Sequence, residues 1–363
     1  MYRTALDLLK EINSHGYVSY IVGGYPRDLY LNRESLDVDI CTNATPKDLR
    51  KIFGDIMLPK ESYGSVTVIK NKIRFEITTF RRDIKYENNR TPLEIEYISD
   101  LEADLKRRDF TINTLCIDSE GNTIDLLDGK EDLDNKLIKM VGDPDVKLME
   151  DALRILRAIR FAVTLNFKID KELKESIKKN RYLLKNLSYF RKKDELDKIF
   201  ASPNVSYGID LIKELGLDKP LELSNIDKLV VTDYSIGIWA QVDVLDKYSF
   251  TNNEKSTINR INELNDKDIL DVDVLYKYGL YVCSIAGDIK GIDRTMVTAS
   301  YNALPIKSNV EIVTQPIDIM GILDRESGPY LKVIMSDLEY KILHGELKNE
   351  EDTLIDYIIK NYK

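Results

Sequence analysis

Histidine is scarce: the 363-residue chain holds two, His15 and His344. Metal hydrolases that need several imidazole ligands are therefore excluded, and histidine acid–base chemistry is disfavoured. Any catalysis must rest on carboxylates, arginines and lysines. Cysteine is nearly as rare. Cys41, Cys116 and Cys283 stand far apart, so neither a CxxC metal pair nor a disulfide framework is suggested, and three separate inert thiols are expected. No apolar run approaches the length of a membrane span, and there is no internal repeat or low-complexity tract. The N-terminus, Met1-Tyr2-Arg3-Thr4-Ala5-Leu6, enters an amphipathic pattern directly rather than a signal peptide. A cytoplasmic protein is expected.

Positive charge also falls short, with a net charge of −9, which looks wrong for a nucleic-acid partner. The distribution says more than the sum. From Lys168 to Lys198 the chain is locally basic and carries Tyr182, Tyr189 and Phe190. Lys178, Lys179, Arg191, Lys192 and Lys193 are its candidate RNA-phosphate contacts; a merely solvated helical face is the alternative. The hydrophobic share of 43% and charged share of 32% are those of an ordinary globular chain. The length predicts two or more domains.

The first third mixes strands and helices. Tyr17 to Val22 reads as a strand running into Gly23-Gly24, with Pro26 suited to the first turn of a helix. Leu36 to Cys41 alternates aspartate with apolar residues, the pattern of a strand with one wet face. Ser65–Lys70 and Ile73–Phe80 predict a hairpin across Asn71-Lys72, with Ile73, Phe75 and Ile77 on one face and Arg74, Glu76 and Thr78 on the other. A later strand pair is expected to turn at Glu120-Gly121-Asn122. Beyond about residue 140, helical periodicity takes over. Ala152, Ile155, Leu156, Ile159 and Val163 form an apolar helical stripe, and breaks are expected near Pro203, Pro220, Asp266 and Pro305.

Chemistry concentrates in Gly23-Gly24-Tyr25-Pro26-Arg27-Asp28, followed by Asp37-Val38-Asp39. Two glycines after a strand let backbone approach a phosphate closely, and Arg27 can grip a polyphosphate with its planar fork. Asp37 and Asp39 are two apart on a predicted strand, so both project from one face and can chelate hard Mg²⁺. Alone, an Asp-x-Asp is usually surface solvation; in this order with the glycine turn and arginine, coincidence is a poor account. Glu76 is a candidate third acidic group, with a cross-strand partner for Arg74 or a neighbouring lysine as the equal alternative. Asp151 and Arg154, spaced i, i+3, read as helix neighbours opposite the apolar stripe. The aspartate can accept from the exocyclic amine that cytosine and adenine share, while the arginine donates to the adjacent ring nitrogen. An ordinary helix salt bridge is the alternative for that pair.

Gly23 to Asp39 resembles the signature of the polymerase-β nucleotidyltransferase superfamily. In detail it resembles the class II tRNA nucleotidyltransferases, the bacterial CCA-adding enzymes and their poly(A) polymerase relatives. Arg107-Arg108-Asp109-Phe110-Thr111-Ile112-Asn113 resembles the family's arginine-arginine-aspartate element, and Glu150-Asp151-Ala152-Leu153-Arg154-Ile155-Leu156-Arg157 its nucleotide-selecting helix. The resemblance implies an α+β fold: a polymerase-β-like head over 1–140, then an elongated all-helical neck (141–200), body (201–290) and tail (291–363). It implies that Gly23, Gly24, Arg27, Arg108, Asp151, Arg154, Arg157 and Arg160 bind nucleotide, that Asp37 and Asp39 carry Mg²⁺ and catalysis, and that the partners are CTP, ATP and the tRNA acceptor arm. Helical winding argues that Arg160 lies well round from Asp151. Two departures stand out. Tyr25 is larger than usual, and the Asp-Pro-aromatic-Gly-Gly element reads Asp125-Leu126-Leu127-Asp128-Gly129.

In this family CC-adding enzymes lack a flexible segment that is full length here, Phe80 to Lys106, with Arg81, Arg82, Lys85 and Arg90 in it. Template-independent C, C, A addition is therefore expected. An A-adding enzyme or poly(A) polymerase is the alternative, and an inactive RNA-binding homologue a third reading that intact Asp37 and Asp39 oppose.

Overall fold

The computed structural model describes residues 1–35, 37–58, 64–87 and 91–363, with side chains left out at Asp55 and 83–94. Leu36, where the second strand is predicted to open, lies outside the described residues, as do Arg90 and the Lys85 side chain. The chain divides into two compact units, Met1–Leu223 and Ser224–Lys363. The first unit spans both the expected head and the expected neck. It continues past residue 200, so the predicted boundaries at 140 and 200 both fall inside it.

Helix α1 (Tyr2–Ser14) leads into β1 (Ser19–Val22), α2 (Gly24–Tyr30), β2 (Asp39–Thr42), α3 (Pro46–Phe53), β3 (Ser65–Lys70) and β4 (Ile73–Thr79). An antiparallel ribbon of β5 (Arg81–Glu87) and β6 (Thr91–Tyr97) follows, then α4 (Leu101–Lys106), β7 (Cys116–Ile117), β8 (Thr123–Ile124), α5 (Gly129–Asp134) and β9 (Leu137–Ile138). The main sheet runs β3-β4-β2-β1-β7-β8. It is mixed: β2 lies antiparallel to β1 but parallel to β4. The predicted hairpin forms across Asn71 and Lys72, whose φ values of 53° and 64° match the two-residue turn that suits strand twist. One sheet face buries Phe75, Ile77, Ile40, Ile21 and Val66 against Leu8, Leu9 and Ile12 of α1.

Helices α6 (Pro144–Glu150), α7 (Leu153–Leu165), α8 (Lys171–Asn180), α9 (Tyr189–Phe200), α10 (Val205–Glu214) and the short α11 (Asp218–Leu221) complete the first unit. The stripe Ala152, Ile155, Leu156, Ile159 and Val163 is fully buried. One strand signal persists past residue 140: β10 (Lys168–Ile169) pairs in parallel with β9, stitching the end of α7 to the head. The second unit is helical: α12 (Ser235–Gln241), α13 (Asn252–Asn262), α14 (Val272–Lys290), α15 (Arg294–Asn302), α16 (Pro316–Leu323), α17 (Tyr330–Leu343) and α18 (Glu351–Tyr362). Trp239 anchors part of it, its ring 5.2 Å from those of both Tyr248 and Phe250. Among the described residues no helix is long and apolar enough to cross a membrane.

Both sequence departures have local reasons. Tyr25 stacks on Tyr2 of α1 with ring centroids 5.8 Å apart, so its bulk fills the head core. In the 125–129 element Asp128 takes a left-handed backbone (φ 57°), a conformation aspartate tolerates better than most residues. The Asp125 carboxylate accepts from the N–H groups of Gly129 and Lys130 at 2.9 and 2.8 Å and so opens α5. Gly129 cannot be replaced as easily, because a methyl there would lie 2.5 Å from the Thr111 carbonyl oxygen and 2.7 Å from Leu115 Cδ1. Gly129→Ala should therefore destabilise the protein by about 1–3 kcal/mol, as overpacking typically does. Asp128→Gly should be neutral or slightly stabilising. Denaturant unfolding of the two variants checks the contrast.

Candidate active site

At the end of β1 the chain turns on Gly23, whose φ of +84° disfavours any side chain. A methyl at Gly23 would sit 3.6 Å from Asp39 Oδ2 and 4.0 Å from Arg108 Nη1, so the glycine turn, the carboxylate and the arginine meet at one point. Gly24 starts α2, which carries Arg27 inward. Arg27 is buried; its Nε donates to Asp28 Oδ1 at 2.9 Å and its Nη1 to Asn113 Oδ1 at 2.7 Å.

Asp37 and Asp39 flank buried Val38, and both side chains are exposed on one side of the chain. The hydrogen-bonded strand starts only at Asp39, so Asp37 lies just ahead of the ladder rather than within it. Asp39 faces Val22 across one neighbour and Glu76 across the other. Although the residue is open to the cleft, partial desolvation of the Asp39 carboxyl among its neighbours raises it above its ordinary value; Glu76 and Asp37 add to this, and Arg108 opposes it. Carboxylates crowded in this way favour a cation. Among the described residues no set of three or more His, Cys, Asp or Glu side chains closes around a metal position, so Glu76 does not complete a cage. Asp37, Asp39, Glu76 and Arg74 instead line a cavity of about 360 Å³. Arg74 reaches Thr67 Oγ1 at 3.4 Å rather than Glu76. An open face with two carboxylates suits a hard divalent ion that also takes phosphate oxygens and water.

The remaining side chains converge on an adjoining cavity of about 630 Å³. Gly23, Gly24, Arg27, Asp37, Asp39, Arg108, Asp151, Arg154, Arg157 and Arg160 all line it. Each arginine leans on an acid. Buried Asp104 takes Arg107 Nε at 2.8 Å on one oxygen and Arg108 Nη2 at 3.2 Å on the other. The spacing Asp104, Arg107, Arg108, running off the C-terminal end of α4, is an i, i+3, i+4 signal that the sequence carried. Asp109 accepts from Arg157 Nε at 2.7 Å and also from Nη2, while its other oxygen accepts from Asn113 Nδ2 at 3.1 Å. Arg154 is buried and donates to Glu150, to the Lys147 carbonyl and to the Arg107 carbonyl at 2.8, 2.8 and 3.1 Å. Arg160 Nε lies 2.7 Å from Glu195 Oε2. The guanidiniums of Arg27, Arg157 and Arg160 surround the Phe161 ring at 5.2, 5.4 and 4.3 Å.

Two helical expectations need correction. Asp151 is not on the helix expected to select the base but at the break between α6 and α7, with an extended backbone (φ −143°, ψ 105°). It does not pair with Arg154; its Oδ1 accepts from the Leu153 N–H at 3.0 Å and so caps α7. Because Asp151 is off the helix, the winding argument against Arg160 fails, and Arg160 reaches the same cavity. The basic candidates after Lys168 do not line it. Lys192 and Lys193 are 2% and 8% exposed, the first over the Tyr189 ring and the second on Asp197, so neither presents a free ammonium to RNA as expected. Lys178 lies 3.5 Å from Glu175, and surface Lys179 is paired with Asp145. Arg191 turns toward Asp151.

Known proteins match the chain over nearly its whole length. Residues 19–139 match the poly(A) polymerase head domain, 166–225 a probable RNA and SrmB-binding site of polymerase A, and 235–358 tRNA nucleotidyltransferase domain 2. A CCA-adding enzyme of Geobacillus sp. strain WCH70 is 31% identical across 99% of this chain and 96% of its own length. The chain belongs to the CCA-adding enzyme family. A second member, from Streptococcus uberis, is 33% identical over 99% of the chain and 96% of its own length. The solved Bacillus stearothermophilus CCA-adding enzyme in complex with CTP shares 26% identity and superposes with a TM-score of 0.79, covering 98% of this chain and 96% of that one. Membership carries nucleotidyltransferase activity and dependence on a divalent metal.

Asp109 offers a stability test of the site. Burial alone would raise its carboxyl, but Arg157, Asn113 and the Phe110 N–H outweigh that and hold it at about 2. A carboxyl depressed on folding stabilises the protein above its unfolded value and loses that contribution as pH falls through the folded value. Asp109→Asn should thus cost roughly 2 kcal/mol at neutral pH. The gap from wild type should narrow below about pH 4 and close near pH 2. Unfolding midpoints of both proteins across that range provide the measurement.

Proposed function

We propose that this chain is a cytoplasmic, Mg²⁺-dependent enzyme that adds C, C and A to the 3′ end of tRNA from CTP and ATP, releasing pyrophosphate. The observation that carries the reading is that Asp151 and Arg154 share one cavity with Asp37 and Asp39. A base-reading pair stands within reach of a metal-competent pair, so a nucleotide can be chosen and joined in one pose. The full-length likeness to enzymes named for CCA addition supports the same substrates.

Asp37 and Asp39 would hold Mg²⁺, and the chemistry a bound ion supplies is activation of the RNA 3′-hydroxyl and neutralisation of the triphosphate during in-line attack on the α-phosphate. Arg27 and Arg108, each stiffened by its own acid, would grip the polyphosphate. Arg154 has two of its four Nη hydrogens directed at Lys147 and Glu150 and one at Arg107. Its fourth Nη hydrogen and its Nε–H have no protein acceptor among the described residues and would donate to the ring nitrogen beside the exocyclic amine of C or A. Asp151 would accept from that amine. Uracil and guanine set a carbonyl against the carboxylate and an N–H against the arginine, so both contacts turn repulsive.

Purified protein given tRNA lacking its 3′ end, Mg²⁺ and each NTP singly and together tests the reading. Ordered C, C, A addition followed by arrest is expected. Unlimited A addition, or A only onto a CC end, selects the related polymerase or A-adding activity instead. Asp37→Ala or Asp39→Ala should lower incorporation by a thousandfold or more, on the order expected for loss of a metal ligand at such a centre. Arg154→Ala should relax base choice; a variant that still prefers C and A over U and G would refute the assignment of Arg154 as selector.

A further inference from the structure

Discrimination by hydrogen bonding needs an acceptor that cannot swing away. If uracil or guanine sets a carbonyl against Asp151, a carboxylate free to rotate simply relieves the clash, and selectivity is lost without losing the attraction for cytosine or adenine. What pins Asp151 is therefore part of the selection device. Its backbone offers little, because it is extended at the break between α6 and α7 rather than locked in a helix. Its Oδ1 accepts from the Leu153 N–H, a contact local to the helix start. Its Oδ2 accepts from Arg191 Nη2 at 3.3 Å, and that arginine comes from α9, forty positions along the chain.

Among the described residues Asp151 is the one carboxylate that pairs with Arg191, with side chains 19% and 21% exposed, so no other ion pair aims the arginine elsewhere. Its Nη1 is buried without an acceptor, so the fork is held at this spot by the Asp151 contact rather than by a surrounding network. α9 is itself tied to α7 one turn further on, where Arg160 meets Glu195. A carboxylate oxygen has about two acceptor positions. One contact on each oxygen leaves one position on each for a base amine, so the clamp orients Asp151 without saturating it.

We propose that Arg191 is a positioning residue for base selection, holding Asp151 in the orientation that accepts the amine common to cytosine and adenine. It is not a phosphate contact for RNA, as its place in the basic stretch suggested. The assignment rests on the proposed function and refines it.

The test uses the full chain with tRNA lacking its 3′ end and compares kcat/KM for CTP and UTP. In Arg191→Gln the CTP-to-UTP ratio should fall about tenfold, through a fall in KM for UTP with KM for CTP, kcat for CTP and the thermal midpoint little changed. Arg191→Lys, which keeps the charge but not the fork, should recover part of the ratio and guards against a folding defect in the first variant. In an Asp151→Asn background, Arg191→Gln should leave the ratio where Asp151→Asn already put it, since coupled residues are not additive. An unchanged ratio with tRNA KM raised equally for both nucleotides overturns the assignment and returns Arg191 to RNA binding. An effect of full size in the Asp151→Asn background overturns it too. A wild-type protein that takes up all four nucleotides alike sinks the proposed function and this inference together; a selective wild type with an unaltered Arg191→Gln sinks this inference alone.

Discussion

The Asp109 carboxylate sits buried between two parts of the site that are far apart in sequence. One oxygen holds Arg157 of α7; the other holds Asn113, which in turn holds Arg27 of α2. A buried charge is tolerated only when it is paired and hydrogen-bonded. These partners satisfy that condition, and in doing so they fix the distance between Arg27 on α2 and the arginine row of α7. The rest of the centre depends on that spacing, because the nucleotide pose proposed above spans it.

The same logic governs the other cations. Arg27 leans on Asp28, Arg108 on Asp104, Arg154 on Glu150 and Arg160 on Glu195. Free guanidiniums packed this closely would repel and wander; each anchoring acid removes part of that repulsion and stiffens a planar fork. A chain with net charge −9 can therefore still present a concentrated, ordered donor surface to a triphosphate. Global charge is a weak guide when opposite charges are paired by position.

The two departures from the family pattern illustrate which features of a motif are physical necessities. Gly129 is retained because a carbonyl oxygen occupies the space a methyl would need. The preceding position requires only a left-handed backbone, which Asp128 supplies. Tyr25 shows the converse, a larger residue accommodated because Tyr2 of α1 gives it a stacking partner.

Much of the head was legible in the residues alone. The period-two alternation put Asp37 and Asp39 on one side of buried Val38, the Asn71-Lys72 turn announced its hairpin, and the stripe from Ala152 to Val163 marked the buried face of α7. These are repeating or nearest-neighbour signals, carried wholly within a short window. Which acid holds which arginine was not legible, since Asp109 and Arg157 lie 48 positions apart and Arg191 reaches Asp151 from α9. Nor could spacing reveal that the helix breaks at Asp151, or that Lys192 and Lys193 turn inward. Local sequence sets the pitch and polarity of each segment. The pairing of buried charges is settled only when distant segments pack, because only then does each charge lose its water and need a partner.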